Sequence, residues 1–161
     1  MHGQVVGLGG QSGIYANLVA DQYPHWELAL RMMIPTAVVI GIEVLRRAGW
    51  TTQIPYVPVV AVNAAQPVRE VDHFVLEALP QEWYNLMRWG IQGGEAGGLP
   101  HLKPAWALAD LIRREGWCNC GLGPDDIYWY MVTEQDRQDW GAACSALHLG
   151  LAPMNPDGLH D

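Results

Sequence analysis

Residues 34–50 read IPTAVVIGIEVLRRAGW, and the conformation of this stretch decides how the rest of the chain is read. Ile34, Ala37, Val38, Gly41, Ile42, Leu45 and Ala48 recur at intervals of three and four, which sets them along one face of a helix. The spacing predicts a helix from Pro35 to Ala48. Pro35 suits its first turn, where a missing N–H costs nothing. Arg46 and Arg47 suit the negative end of the helix dipole, and Gly49 supplies a left-handed stop.

Other elements follow outward from this segment. Upstream, Gln4 to Leu8 is expected as a short strand, and Ile14–Ala20 and His25–Met33 as short helices. Downstream, Ile54–Val62 reads IPYVPVVAV, whose two prolines cannot donate to a ladder, so an edge strand or extended connector is expected. Val68, Val71, Val75 and Leu79 are spaced for a helix closed by Pro80, and Trp83, Leu86, Met87, Gly90 and Ile91 for another. Further helices are expected over Pro104–Glu115, from Pro124, and from Thr133, whose Asp136 three residues on makes a capping box. The last carries Trp140, Ala143, Cys144 and Leu147 on one face and stops at Gly150. The expectation is a mainly α protein with a minor β component (α+β). Six to eight short helices would surround one core, with one or two strands near 4–8 and 54–62. Residues 1–150 would form a single domain and 151–161 a coil tail.

Half of the 161 residues are apolar, including eight Trp and six Tyr, enough to bury a core. Seventeen acids face nine basic residues, giving a net charge of −8. Eleven of the acids follow Pro80. Such a charge repels phosphate backbones and anionic membranes, arguing against direct nucleic-acid or membrane binding, and it suits a basic partner. The longest apolar stretch, Met32–Ile42, is eleven residues, against about 20 for a membrane span. The first ten residues lack the basic and hydrophobic regions of a secretory signal, and three cysteines do not make a disulfide framework. The expected location is cytoplasmic, or in a particle assembled there.

One pattern repeats: Gly41–Trp50 (GIEVLRRAGW) is echoed by Leu108–Trp117 (LADLIRREGW). Duplication of a helical unit would produce it. So would the independent preference of helix C-termini for arginine and glycine.

Four residues form the metal candidate: Cys118, Cys120, Cys144 and His148. Cys144 and His148, four apart, would share a helix face, and Cys118 and Cys120 would complete a three-thiolate, one-imidazole zinc set. The competing account makes Cys144 a small buried hydrophobe beside Ala143 and Leu147, with no cofactor bound. Other chemistry is thinly supplied. GLGGQSG (7–13) holds Ser12 where a dinucleotide loop needs glycine. Glu70, His73 and Glu77 would share a helix face, but a di-iron bundle needs two such motifs. Serine occurs twice, Ser12 and Ser145.

Tyr128, Trp129 and Tyr130 are consecutive within IYWYM, so on a helix they cannot all point inward, and at least one should be exposed or bind a partner. The function expected is therefore non-enzymatic: protein–protein interaction or assembly, as a homo-oligomer or in a larger particle such as a virion connector, or as a mobile-element protein. The alternatives are a small zinc-stabilised domain and an enzyme whose site gathers His25, His73, His101 or the acids of the second half.

Overall fold

Val38–Ile40 is a strand, not the interior of a helix. A computed structural model of the chain describes residues 4–7, 15–18, 26–54, 57–66, 70–94, 98–117, 119–151, 154–155 and 158–159. Val38, Val39 and Ile40 are β-branched and all buried. Successive strand residues face opposite sides of a sheet, so burial of all three means that both faces are covered there. A continuous apolar run matches helical spacing as well as it matches a doubly covered strand, and this is why the intervals of three and four misled. Gly41 then ends the strand at φ 75° and ψ −152°, a conformation nearly reserved for glycine. The helix that follows is only Ile42–Arg47. Its end is as expected: Gly49 sits at φ 80°, Gly49 N donates to Arg46 O at 3.0 Å and Trp50 N to Leu45 O at 2.9 Å, a Schellman stop.

In chain order the elements are β1 Gln4–Gly7, β2 Tyr15–Leu18, α1 Trp26–Met33, β3 Val38–Ile40, α2 Ile42–Arg47, β4 Val59–Asn63, β5 Val75–Leu79, α3 Gln81–Met87, β6 Ile91–Gln92, β7 His101–Leu102, α4 Pro104–Glu115, α5 Glu134–Ala146, β8 Met154–Asn155 and β9 Gly158–Leu159. Five strands form one mixed sheet in the order β5-β4-β3-β7-β6. β3 runs antiparallel to β4 and parallel to β7, β4 parallel to β5, and β6 antiparallel to β7. Two antiparallel pairs, β1–β2 and β8–β9, stand apart from it. The expected mainly helical fold with a minor β component is thus overturned: among the described residues there are five α-helices and a substantial sheet.

Further local expectations change with it. Residues 15–18, expected as helix, pair with β1 as β2. The helix expected through Val75 and Leu79 is β5, paired residue for residue with β4 from Val59↔Val75 to Asn63↔Leu79. The strand expected over 54–62 is β4, and it lies inside the sheet, not at its edge. Both prolines precede it, and Pro58 contributes only its carbonyl, which accepts from Val75 N at 3.0 Å, so no ladder donor is missing. Within the segment expected as a coil tail, β8 pairs with β9 and Met154 is buried.

Helix α4 lies at the centre of the helical layer. Every residue from Ala105 to Leu111 is buried, as in a helix enclosed on all sides, and it packs against α2 and α5. Trp106 lies over Gly90, where an added Cβ would stand 2.3 Å from the indole. The close approach needs a residue with no side chain. Asp110, fully buried in α4, accepts from Trp83 Nε1 at 2.9 Å and from Arg114 Nε and Nη2, and Arg114 also pairs with Glu77 on β5. Burial alone would lower the pKa of the Arg114 guanidinium, but its carboxylate partners Asp110 and Glu77 outweigh this and raise it.

The sequence echo has a structural counterpart. Glu43 in α2, like Asp110 in α4, is a buried acid bound by an arginine four residues on: Arg47 Nε donates to Glu43 Oε1 at 2.9 Å, and Arg46 adds further bonds. Burial pushes the Glu43 carboxyl up, yet the Arg46 and Arg47 hydrogen bonds and charges prevail and hold it below its ordinary value. Each helix follows a strand, β3 and β7 are parallel neighbours, and each ends at a positive-φ glycine, Gly49 and Gly116.

Candidate functional site

The aromatic segment is built by an alternation of anchors. Ile127 and Val132 are buried, and between them Trp129–Met131 forms one 3-10 turn rather than an α-helix. Tyr128 N donates to Trp50 O at 2.8 Å, tying the turn to the end of α2, and Trp129 Nε1 donates to Pro124 O at 3.0 Å. Beyond the turn, Thr133 Oγ1 accepts from Asp136 N at 3.1 Å and Thr133 N donates to Asp136 Oδ2 at 2.9 Å, the expected capping box of α5. The backbone is therefore held from both ends.

This leaves the rings outside. Tyr130 is 79% exposed and Tyr128 37%. Their rings stack with centroids 5.7 Å apart and planes 29° apart, and the Tyr128 hydroxyl lies 3.4 Å from Thr52 Oγ1. Met131 is exposed beside them and reaches over Gly49. Trp129 is half-buried. Asp125, Asp126 and Glu134 are exposed on either side of the turn in sequence, so the aromatic patch is set among acids. Trp140 is in the core and Trp117 half-buried, so the tryptophans near this segment divide between interior and surface.

The metal candidates are distributed differently. Cys118 lies outside the described residues. Cys120 is buried, its Sγ 3.7 Å from the Leu122 carbonyl. Cys144 is buried on the apolar face of α5, and burial pushes its thiol up to about 11, away from the thiolate a metal needs. His148 does not share a helix face with Cys144. Helix α5 ends at Ala146, and His148 takes the left-handed stop itself at φ 54°, with Leu149 N donating to Cys144 O at 2.8 Å. Its side chain is exposed. Among the described residues no three His, Cys, Asp or Glu side chains gather as a metal group.

The other titratable candidates also separate. Glu70, His73 and Glu77 share no helix: His73 occupies a turn at φ 73° with its ring 4.1 Å from that of Trp26, while Glu77 lies in β5 against Arg114. His25 lies outside the described residues. His101 is in β7, its Nδ1 3.0 Å from the Leu102 carbonyl. Surface grooves among the described residues include the following two. One of about 500 Å³ is lined by Glu82, Asn85, Leu86, Arg88, Trp89 and Ala146. One of about 400 Å³ lies along α5 beside Glu134, Arg137, Trp140, Cys144 and Leu151. No histidine lines either.

Trp89 was not singled out from the sequence, although a signal was there. Trp83, Met87 and Gly90 define the inward face of α3 and its exit, Leu86 lies at the edge of that face, and Trp89 falls off the spacing of the first three. It is 70% exposed.

Fold and site together define a mixed α/β structure with a hydrogen-bonded, solvent-facing aromatic turn. A scan of protein-family models finds none that matches the chain, and searches of curated proteins and of solved structures find no match either. No helix among the described residues is long and apolar enough to cross a membrane.

Proposed function

We infer that this chain is a non-enzymatic interaction or assembly protein, and that Tyr128, Trp129 and Tyr130 form its contact surface. One observation carries the inference: two stacked tyrosines are held in solvent on a turn whose backbone is hydrogen-bonded at both ends. Tyrosine supplies large contact area at low conformational cost, and a pre-ordered turn reduces that cost further. Asp125, Asp126 and Glu134 around the patch, within a chain of net charge −8, favour a partner whose apolar surface is rimmed by basic residues. A second copy of the chain would bring two acidic rims together, so the reading favours a larger assembly with another protein.

A photo-crosslinking amino acid at position 130, in the organism that makes the protein, tests this. A crosslink to another chain that is lost on Tyr128→Ala supports the reading. Sedimentation over about two decades of concentration separates self-association from binding to another protein. A chain that sediments as a monomer and gives no crosslink from position 130 would overturn it.

A further inference from the structure

We propose that the groove at the end of α3 binds a neutral saccharide, with the indole of Trp89 as the platform for a pyranose ring. Asn85 and Leu86 lie three and four residues after Glu82 and four and three before Trp89, so the four form one stripe along the side of α3 and the turn after it, with half-buried Leu86 at its inner edge. Ala146, at the end of α5, makes the opposite wall. The volume, about 500 Å³, is in the range that small-molecule sites occupy.

The lining selects the ligand. Trp89 is 70% exposed, a large apolar plate that the fold leaves unburied. The Arg88 guanidinium lies 5.4 Å from the centre of its ring, which holds the indole in place from one side. Asn85, which lines the groove, accepts at Oδ1 from Gln81 Nε2 at 3.0 Å, and its Nδ2 remains as a donor. Glu82 and Arg88 form no ion pair with any described residue. The groove thus offers one flat apolar surface, a carboxylate acceptor, an amide donor and a guanidinium donor. A wholly apolar ligand would leave those three polar groups without partners. A phosphorylated or sulfated ligand would meet Glu82 and the field of a chain of net charge −8. A pyranose has an apolar C–H face for the indole, and hydroxyls that both donate to Glu82 and accept from Asn85 and Arg88. The site shares no residue with the aromatic turn at 128–130, and the proposal stands apart from the reading of that turn.

The test is saturation-transfer NMR on the full chain with a panel of neutral oligosaccharides: β-1,4-linked glucose, xylose and N-acetylglucosamine oligomers and α-1,4-linked glucose oligomers. At least one is expected to bind with a Kd of about 0.1–1 mM. Trp89→Ala should weaken it at least tenfold and Asn85→Ala about threefold, while Tyr130→Ala leaves it unchanged. Trp89 is exposed, so its replacement should keep the wild-type circular dichroism melt, which is measured alongside. The proposal is overturned if no panel member saturates below about 10 mM. It is equally overturned if the Trp89→Ala chain binds as well as the wild type.

Discussion

Gly41→Ala separates the two conformations that residues 35–48 could adopt, because they predict opposite signs. In a continuous helix from Pro35 to Ala48, Gly41 would be an interior glycine, and alanine would stabilise the protein by about 0.8–1 kcal/mol. In the observed fold Gly41 joins β3 to α2 at φ 75° and ψ −152°. Among the described residues, apart from the two adjoining Gly41, no heavy atom lies within 4 Å of where the new Cβ would stand, so the expected effect is backbone strain. Such a conformation costs a non-glycine residue about 1–3 kcal/mol. For a domain of this size, each kcal/mol moves the melting temperature by about 2–4 °C, so a drop of roughly 2–12 °C is expected. Gly141→Ala is the internal control. Gly141 is exposed inside α5 with open space around its Cβ position, and alanine there should gain about 1 kcal/mol. Urea unfolding followed by tryptophan fluorescence, alongside thermal melts, measures both. A Gly41→Ala chain as stable as the wild type, or more so, with Gly141→Ala behaving as expected, would refute the strand-turn-helix assignment.

Substitutions at three other positions test the core, the helix end and the ionic pairs. Asp110→Ala strands the buried Trp83 N–H and leaves Arg114 with Glu77 as its remaining carboxylate partner, and should cost about 3–5 kcal/mol in urea unfolding; Asp110→Asn keeps an acceptor for Trp83 and should cost less. His148→Gly relieves a left-handed backbone and should stabilise by about 0.5–1 kcal/mol, whereas a metal-ligating His148 would make the same change destabilising. The Glu43 carboxyl is held below its ordinary value of 4.5, so its stabilising contribution is present above that pH and is lost as pH falls through the lowered value. A Glu43→Gln chain should therefore be less stable than the wild type near neutrality, and the gap should narrow in urea titrations as pH falls below the ordinary 4.5 and through the lowered value.

Legibility in the sequence followed how local each feature is. The α4 span, the glycine stops at Gly49 and Gly116 and the Thr133–Asp136 capping box were all readable, because each is set by neighbours within one or two turns. The exposure of consecutive tyrosines was readable for a related reason: chain geometry prevents adjacent side chains from all facing inward. The conformation that carries them, a 3-10 turn, was not. His148 looked like a partner for Cys144 because four residues is one helical turn, but the helix had ended two residues earlier. Trp89 was visible as an interruption of an apolar face, yet only the wall supplied by Ala146, far along the chain, makes a groove of it.

The sheet shows the limit most clearly. Val38–Ile40, and Val75 and Leu79 in their segment, are apolar positions whose spacing suits a helix as well as a strand, and local propensity does not choose between them. Partners from elsewhere in the chain do: β4 on one side of β3 and β7 on the other, and β4 again beside β5. Composition determined that the chain folds around an aromatic core and carries an acidic surface, because those properties are sums over residues. Which apolar runs became strands, which tryptophans went inside and which stayed out was decided by long-range pairing and packing, because burial depends on what arrives from the other face.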